Sequence, residues 1–244
     1  ERLGVDFTYY DGRTRNQIYA VLVANSSGFG SKVMNIGEVQ NKGIELLLTG
    51  SPIRTPAFGW DVSLNLSRNR NKVLTLMKGL DRLVLNSAYG IDFSVEEGQP
   101  LGLIYGPRAK RDPQGHVIVN DSGMPVADSE KDKYGDVQAD YVMGINNQFT
   151  YKGISLSAGF DIRQGGLIYS YTSQLNYFVG NATNTLYNDR QPFIVPNSVY
   201  QPVDLATNAP EKDENGNFVY KENIFPIDVG TVSEYWNQNS NAMM

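Results

Sequence analysis

Apolar and polar residues alternate in segments of about ten residues, and this period of two constrains the fold more than any other feature of the sequence. In residues 58–67 every second residue from Trp60 to Leu66 is apolar, and the residues between them are polar. Alternation of this kind is typical of β-strands that have one apolar and one polar face. The same pattern recurs at residues 5–9, 43–50, 140–152 and 153–163. We therefore predict an all-β fold with about five such strands.

The links between these strands alternate between short and long. Residues 51–57 form a short link that contains proline, and residues 152–153 are close to a minimal hairpin turn. Short turns at one end, long loops at the other and amphipathic strands between them are typical of transmembrane β-barrels. We predict that residues 1–244 are part of one large antiparallel transmembrane β-barrel domain with long extracellular loops. These loops are residues 12–42, 69–138 and 165–244.

A soluble protein with half-buried strands is the main alternative, in the form of a secreted or surface all-β glycan-binding module. Loop length favours the barrel, because loops longer than about 15 residues are uncommon in compact domains. No stretch reaches the roughly 18 consecutive apolar residues of a membrane-spanning helix, so membrane insertion would use strands. The chain starts at Glu1, almost within a strand, and we expect it to be an excised piece of a longer protein.

Composition argues against several classes of function. The net charge of −5, from 21 basic and 26 acidic residues, disfavours a nucleic-acid binder. The chain has no cysteine and a single histidine, His116, so thiol nucleophiles, cysteine-ligated zinc and histidine-dependent catalytic sites are excluded. We predict no catalytic pair of carboxylates. Adjacent Glu96 and Glu97 would point to opposite faces of a strand. Asp128 and Asp132 lie among lysines in what we predict to be a solvated loop. We expect no enzyme, no metal site and no cofactor.

The long segments contain their own turn signals. Residues 112–115 and 120–123 flank a short apolar run and predict a small hairpin, and residues 213–220 repeat the pattern. Neither segment has the spacing of an EF-hand calcium loop, so we interpret them as turns rather than cation sites.

Residues 35–46, NIGEVQNKGIEL, resemble the N-x-G-E-V-x-N-K-G-[IV]-E-L block of SusC/RagA-type TonB-dependent outer-membrane transporters. Further blocks follow in the order and spacing of that family, namely FGW at 58–60, NRNKV at 69–73, EGQPLG at 97–102, YGD at 134–136 and FDIRQGG at 160–166. This resemblance implies a plugged outer-membrane barrel of about 22 strands. It also implies a SusD-type surface lipoprotein as lid, energy from TonB, and import of an oligosaccharide or a peptide. The plug and the final strands would lie outside residues 1–244.

Ligand contacts are expected in the long loops, where aromatic residues have amide or acidic neighbours. Aromatic planes of this kind suit sugar stacking and peptide capture, or they pack the loops together. We predict Tyr169, Tyr171, Tyr177 and Trp236 as substrate-binding residues. We interpret the Asn41-Lys42-Gly43 block as strand-entry chemistry, in which Gly43 supplies a backbone geometry that a Cβ would disfavour.

Overall fold

The computed structural model describes residues 2–16, 18–22, 26, 28, 30–35, 37–76, 79–204, 207, 209–228 and 235–236. Within them lie the α-helix α1 (Tyr171–Phe178) and a 3-10 segment, Thr183–Arg190. The strands are β1 Leu3–Thr14, β2 Ile18–Leu22, β3 Ser31–Asn35, β4 Gly37–Arg54, β5 Phe58–Leu76, β6 Arg82–Ala88, β7 Ile91–Glu96, β8 Leu103–Ala109, β9 Val117–Val119, β10 Ala127–Asp136, β11 Tyr141–Tyr151, β12 Ile154–Gln164, β13 Ser198–Tyr200, β14 Val203–Asp204, β15 Ala209–Pro210 and β16 Lys221–Glu222. No helix in the described ranges is long and apolar enough to cross a bilayer.

The five segments that alternate with a period of two form one antiparallel sheet, which confirms the predicted all-β fold. Its strand order is β1-β4-β5-β11-β12. The register places apolar residues opposite one another across all five strands, so that rows of apolar side chains cross the sheet. Two such rows are Phe7, Leu46, Leu66, Met143, Ile162 and Val5, Leu48, Leu64, Ile145, Phe160.

The predicted limits of the long loops are wrong, because β4 begins at Gly37 and β5 continues to Leu76. Polar residues on both faces, such as those at 40–42 and 69–72, end the apolar pattern. The backbone ladder continues through them because hydrogen bonding between strands does not depend on apolar side chains. The three segments also contain elements that the sequence pattern did not predict, namely β2 and β3, β6 to β8, β10, α1 and β13 to β16.

Both short links are confirmed as tight turns at one end of the sheet. Strand β4 extends to Arg54, so only residues 55–57 separate it from β5. Lys152 and Gly153 join β11 to β12 with φ values of 45° and 85°. Positive φ at both central residues defines the type I′ turn that suits a two-residue hairpin.

The chain divides into two compact units. The first comprises Glu1–Ala88, Asp92–Ile104 and Tyr134–Ile168, and it contains the five-stranded sheet. Its buried apolar cluster is Val39, Val73, Leu83 and Val95. The second unit comprises Tyr89–Ile91, Tyr105–Lys133 and Tyr169–Met244. Its cluster is Val119, Met124, Phe193, Val195, Ile227 and Trp236.

The second unit contains three turns of one design, as the turn signals predicted. In each turn the first side chain, Asp112, Asn120 or Asp213, accepts hydrogen bonds from the backbone N–H groups two and four residues later. The fourth residue is a glycine with φ of 91°, 73° and 82° respectively. Side-chain capping of this kind fixes a tight turn locally, because it satisfies backbone donors within five residues of chain.

Candidate functional site

One face of the five-stranded sheet is apolar, and among the residues that the structure describes no other layer packs against it. On the edge strands its side chains are largely exposed, with Val5 at 64%, Phe7 at 63% and Phe160 at 58% exposure. On the inner strands, neighbouring side chains within the sheet cover them only in part. A continuous apolar surface of this extent is typical of an interaction surface or a lipid contact.

Aromatic residues collect at the turn end of this apolar face. Trp60 stacks on Phe149 with ring centroids 5.8 Å apart, and Phe58 stacks on Phe149 at 6.4 Å. The Trp60 indole Nε1 donates to Asn147 Oδ1 at 3.2 Å. Such rings, apolar in body and polar at one end, form the girdles of membrane barrels at the interface.

The opposite face of the sheet is polar and bears a shallow cavity of about 670 Å³. Its lining comes from β1, β4, β5, β11 and β12, and includes Thr49, Ser63, Asn146, Gln148 and Ser157. Amide and hydroxyl groups of this kind suit water, a polar segment or a polar solute. The two faces therefore differ as the outside and the lumen of a barrel differ.

Residues of the Asn41-Lys42-Gly43 block form a side-chain network with the neighbouring strands. Tyr10 lies opposite Gly43, and its hydroxyl donates to Asn69 Oδ1 at 3.1 Å. The Asn69 amide donates in turn to Asn41 Oδ1 at 3.4 Å. A Cβ on Gly43 would lie 2.4 Å from the Arg68 carbonyl oxygen and 2.6 Å from the Tyr10 hydroxyl. A Cβ is therefore disfavoured at Gly43, as expected, and the physical reason is the close approach of the neighbouring strands.

The NRNKV and EGQPLG blocks meet at the same end of the sheet, where the long connections begin. Asn71 Oδ1 accepts from the Leu101 N–H at 2.6 Å, and the Asn71 N–H donates to Gln138 Oε1 at 2.5 Å. The Val73 N–H donates to the Gln99 carbonyl at 2.9 Å, and Val73 is 2% exposed. These blocks therefore fix the strand ends in place and do not line an open ligand site.

Two of the predicted substrate residues, Tyr169 and Tyr171, lie together with a third tyrosine, Tyr89. The ring centroids of Tyr89 and Tyr171 are 4.6 Å apart, and those of Tyr89 and Tyr169 are 5.7 Å apart. The Tyr169 hydroxyl donates to Gln174 Oε1. Burial, together with the Tyr89 and Tyr171 rings, raises the pKa of Tyr169 above its ordinary value. We call these three residues the tyrosine cluster.

Tyr89 was not among the residues predicted to bind substrate, although the sequence around it contains a turn signal. Tyr89-Gly90 separates two short alternating runs, and an x-Gly pair in that position favours a two-residue hairpin turn. No local sequence pattern could predict that Tyr89 lies near Tyr169, because 79 residues of chain separate the two.

The other two predicted substrate residues lie in the buried cluster of the second unit. Trp236 is 8% exposed, and Tyr177 packs against it with ring centroids 6.3 Å apart. Phe193 and Tyr235 complete the group of rings around Trp236. This burial favours a packing role for Trp236 and Tyr177, and their part in ligand binding remains a prediction.

Asp128 and Asp132, two of the acidic residues considered for catalysis, form an ion-pair cluster with Arg108. Asp128 and Asp132 share one face of β10, which is a strand and not the solvated loop that we predicted. Arg108 donates to both, from Nε to Asp128 at 2.8 Å and from Nη1 to Asp132 at 2.7 Å. A backbone hydrogen bond from Glu130 and the Arg108 guanidinium hold the pKa of Asp128 below its usual range. Among the described residues, no group of three or more His, Cys, Asp or Glu side chains is arranged to hold a metal ion.

Comparison of the sequence with known proteins gives similar receptors but no matching family model. The chain is 29% identical to TonB-dependent receptor P3 of Formosa agariphila over 226 residues, which is 82% of this chain and 22% of that protein. It is 30% identical to TonB-dependent receptor P39 of the same organism over 71% of this chain and 13% of that protein. It is 22% identical to TonB-dependent receptor SusC of Bacteroides thetaiotaomicron over 76% of this chain and 21% of that protein.

Solved structures share the fold. The RagAB peptide importer in its closed-closed state matches with a TM-score of 0.51 and 22% identity, over 66% of this chain and 19% of that one. A second structure of the RagAB peptide transporter matches with a TM-score of 0.50 and 23% identity. The chain spans only 13% to 22% of the length of these curated relatives. Its strands correspond to a segment of such a barrel, which does not close within these residues.

Proposed function

We propose, from the premise that this chain is a segment of a SusC/RagA-type TonB-dependent receptor of the outer membrane, that the whole receptor imports a nutrient too large for passive pores. The nutrient is an oligosaccharide or a peptide. A SusD-type surface lipoprotein serves as the lid, and TonB supplies energy through a plug that lies outside these residues. The chain itself supplies part of the barrel wall and long extracellular segments, and no catalytic step.

The observation that carries this proposal is the uncovered apolar face of the five-stranded sheet. Apolar surface that is removed from water contributes roughly 25 cal/mol per Å². The rows from Val5 to Phe160 and from Phe7 to Ile162 meet no protein layer in the described part of the chain, which supports lipid as their environment. The polar face then lines the lumen, as in barrels with a hydrated interior.

The alternative of a soluble glycan-binding module does not fit this arrangement. A β-sandwich buries the apolar face of each sheet against a second sheet about 10 Å away. In the described part of the chain no second sheet packs on the apolar face of β1, β4, β5, β11 and β12.

Relatives support the transport class and the kind of partner. Three curated relatives are named TonB-dependent receptors, and a solved neighbour is described as a peptide importer. Within this chain, the tyrosine cluster is the best candidate for a ligand contact, because its rings are partly accessible and lie in the long segments after β5 and after β12, which we assign to the cell exterior.

Deletion of the receptor gene in its native host tests the proposed function. We expect the deletion strain to lose growth on one class of nutrient, oligosaccharide or peptide, and to regain it when the full receptor is restored. Deletion of the adjacent lid lipoprotein or of TonB should lower uptake of the same nutrient. Unchanged uptake of every oligosaccharide and peptide tested would contradict the proposal.

A further inference from the structure

Tyr89 occupies a turn position that disfavours its side chain. Residues 89–90 connect β6 to β7, with φ values of 54° at Tyr89 and 82° at Gly90. This is the type I′ geometry, in which asparagine, aspartate or glycine is favoured at both positions. A bulky side chain at positive φ is an outlier and persists where the surrounding structure or a function maintains it. The identity of this residue therefore calls for a reason beyond turn formation.

The ring of Tyr89 contacts two other rings and remains accessible. Tyr89 is 56% exposed and Tyr171 is 45% exposed, although the two rings are 4.6 Å apart. Tyr169 is half-buried and stacks on Tyr89, and its bond to Gln174 fixes its position. Because tyrosine has only two side-chain torsions, stacked tyrosines present a rigid surface at little cost in entropy when a ligand binds.

The tyrosine cluster is separate from the packing core of its unit. That core is built around Ile227, which is 0% exposed, with Phe193 and Trp236 beside it. Helix α1, which begins with Tyr171, contains no buried residue. The exposed part of the tyrosine cluster is thus not needed to complete the core.

The charge of the segments that carry the three rings indicates the class of ligand. Residues 83–91 and 164–188, which carry the three rings, contain no aspartate, glutamate, lysine, arginine or histidine. Their polar groups are hydroxyls and amides, such as Ser170, Thr172, Gln174 and Asn176. A charged peptide terminus or an acidic sugar would find no counter-ion in these segments. An uncharged sugar ring offers an apolar C–H face for stacking and hydroxyls for hydrogen bonding to such groups.

We propose that Tyr89, Tyr169 and Tyr171 form a stacking site for an uncharged saccharide unit of the imported nutrient. This proposal rests on the proposed import function and specifies the ligand class at that receptor's outer surface. Tyr89 and Tyr171 contact the sugar with their accessible surfaces, and Tyr169 supports them. The unfavourable backbone at Tyr89 is retained because asparagine in its place would remove the ring.

The test measures ligand binding by the full-length receptor in detergent, using calorimetry. The probes are neutral oligosaccharides prepared from glucan, xylan, mannan and galactan, with oligogalacturonate and a mixed peptide digest as comparators. The variants are Tyr171→Ala, Tyr89→Asn and Tyr171→Phe. Phe218→Ala is the matched control, because Phe218 is also half-exposed, at 48%, and lies in a different hairpin of the same unit.

We expect a neutral oligosaccharide to bind, and both Tyr171→Ala and Tyr89→Asn to raise its Kd about tenfold or more. Tyr171→Phe, which keeps the ring, and Phe218→Ala should leave the Kd near that of the unmodified receptor. Asparagine suits positive φ, so amide hydrogen exchange in the β6–β7 hairpin of Tyr89→Asn should be unchanged or slower. Weaker binding with an intact hairpin separates a ligand contact from a folding defect.

Several outcomes would overturn the stacking site. Unchanged affinity in both Tyr171→Ala and Tyr89→Asn is one, and binding of only the acidic oligosaccharide or the peptides is another. A receptor that restores nutrient uptake but binds no neutral oligosaccharide also overturns it, and leaves the import function standing. Unchanged uptake of every nutrient in the deletion strain, with saccharide binding that still depends on the tyrosine cluster, would instead contradict import alone.

Discussion

At the scale of single residues, capping side chains determine how the second unit turns. Asp112 has a side chain that is 2% exposed, and it accepts hydrogen bonds from the backbone of Gln114 and His116 and contacts His116 Nδ1 at 2.8 Å. Asn120 makes the same pair of backbone contacts in the next turn without a charge. The chain thus contains a charged form and a neutral form of the same kind of turn, and the two begin eight residues apart.

The turn at Asp112 should lose stability in acid, whereas the turn at Asn120 should not. Burial by itself raises the pKa of Asp112, but hydrogen bonds from His116 and Gln114 outweigh burial and hold the pKa below its ordinary value. A lowered pKa in the folded state means that the stabilisation is complete above the unfolded pKa, about 3.9. It is then lost as the pH falls through the folded value.

Hydrogen exchange of the Gln114 and His116 amides, corrected for intrinsic rates, measures this loss of stability. Asp112→Asn should keep the turn, as Asn120 does, and remove its pH dependence. Equal acid sensitivity of the two turns in the unmodified receptor would contradict the stabilising role of the ionised Asp112 side chain.

At the scale of elements, each strand of the five-stranded sheet has a lipid face and a lumen face. Leu64 lies in the central apolar row, opposite Leu48 and Ile145, whereas the adjacent Ser63 points to the polar face beside Thr49 and Asn146. The assignment of the two faces therefore depends on the register of the strands. A slip of the register by one residue would move every side chain of a strand to the other face.

Arginine should be tolerated on one face of β5 and not on the other. Leu64→Arg should destabilise the folded receptor by roughly 2–4 kcal/mol, because our proposal places Leu64 near the membrane midplane. Ser63→Arg should cost far less, and Leu156→Arg, in the row of Trp60 and Phe149, should fall between them. Urea titration of the receptor in lipid vesicles measures these differences. Equal effects at Leu64 and Ser63 would argue against a lipid-facing apolar surface.

The ends of the elements have a predicted sidedness. We expect the turns at residues 55–57 and 152–153 to be periplasmic and the long segments to be extracellular. Thr55→Cys and Asn215→Cys place single thiols at exposed turn positions, and this chain contributes no native cysteine. A membrane-impermeant maleimide applied to intact cells should label the cysteine at 215 and not the one at 55. The reverse pattern would invert the topology.

At the scale of the whole molecule, the sheet is incomplete without further strands. β1 pairs only with β4 and β12 only with β11 among the described strands, so both edges of the sheet have unpaired backbone groups. A barrel removes such edges by closing. The polar face cannot act as a substitute core, because Ser155, Asp161 and Arg163 would be buried at several kcal/mol without partners.

Residues 1–244 expressed alone, without detergent, should therefore not form a monodisperse monomer. Exposed edges and the apolar face should drive pairing between chains and aggregation. Size-exclusion chromatography and the dispersion of amide signals in NMR measure the outcome. The full receptor in detergent serves as the control. A soluble monomer with sharp, dispersed signals would contradict the membrane assignment of the apolar face.

The sequence by itself determined the five amphipathic strands and their turns, because these depend on local rules. Alternation with a period of two assigns Leu64 and Ser63 to opposite faces, and the pair Lys152-Gly153 is sufficient for a two-residue turn. Resemblance to the family located the Asn41-Lys42-Gly43 block before any contact was known.

Only the tertiary structure decided which distant residues meet. Tyr10 excludes a side chain at Gly43, Arg108 joins Asp128 to Asp132, and Trp236 lies in a core where the sequence predicted a ligand contact. The polar ends of β4 and β5 remain strands because the partner strand supplies hydrogen bonds that no local pattern records. Tyr89 joins Tyr169 and Tyr171 for the same reason, since nearness across a fold is set by pairing and packing over long chain separations and not by the residues adjacent in sequence.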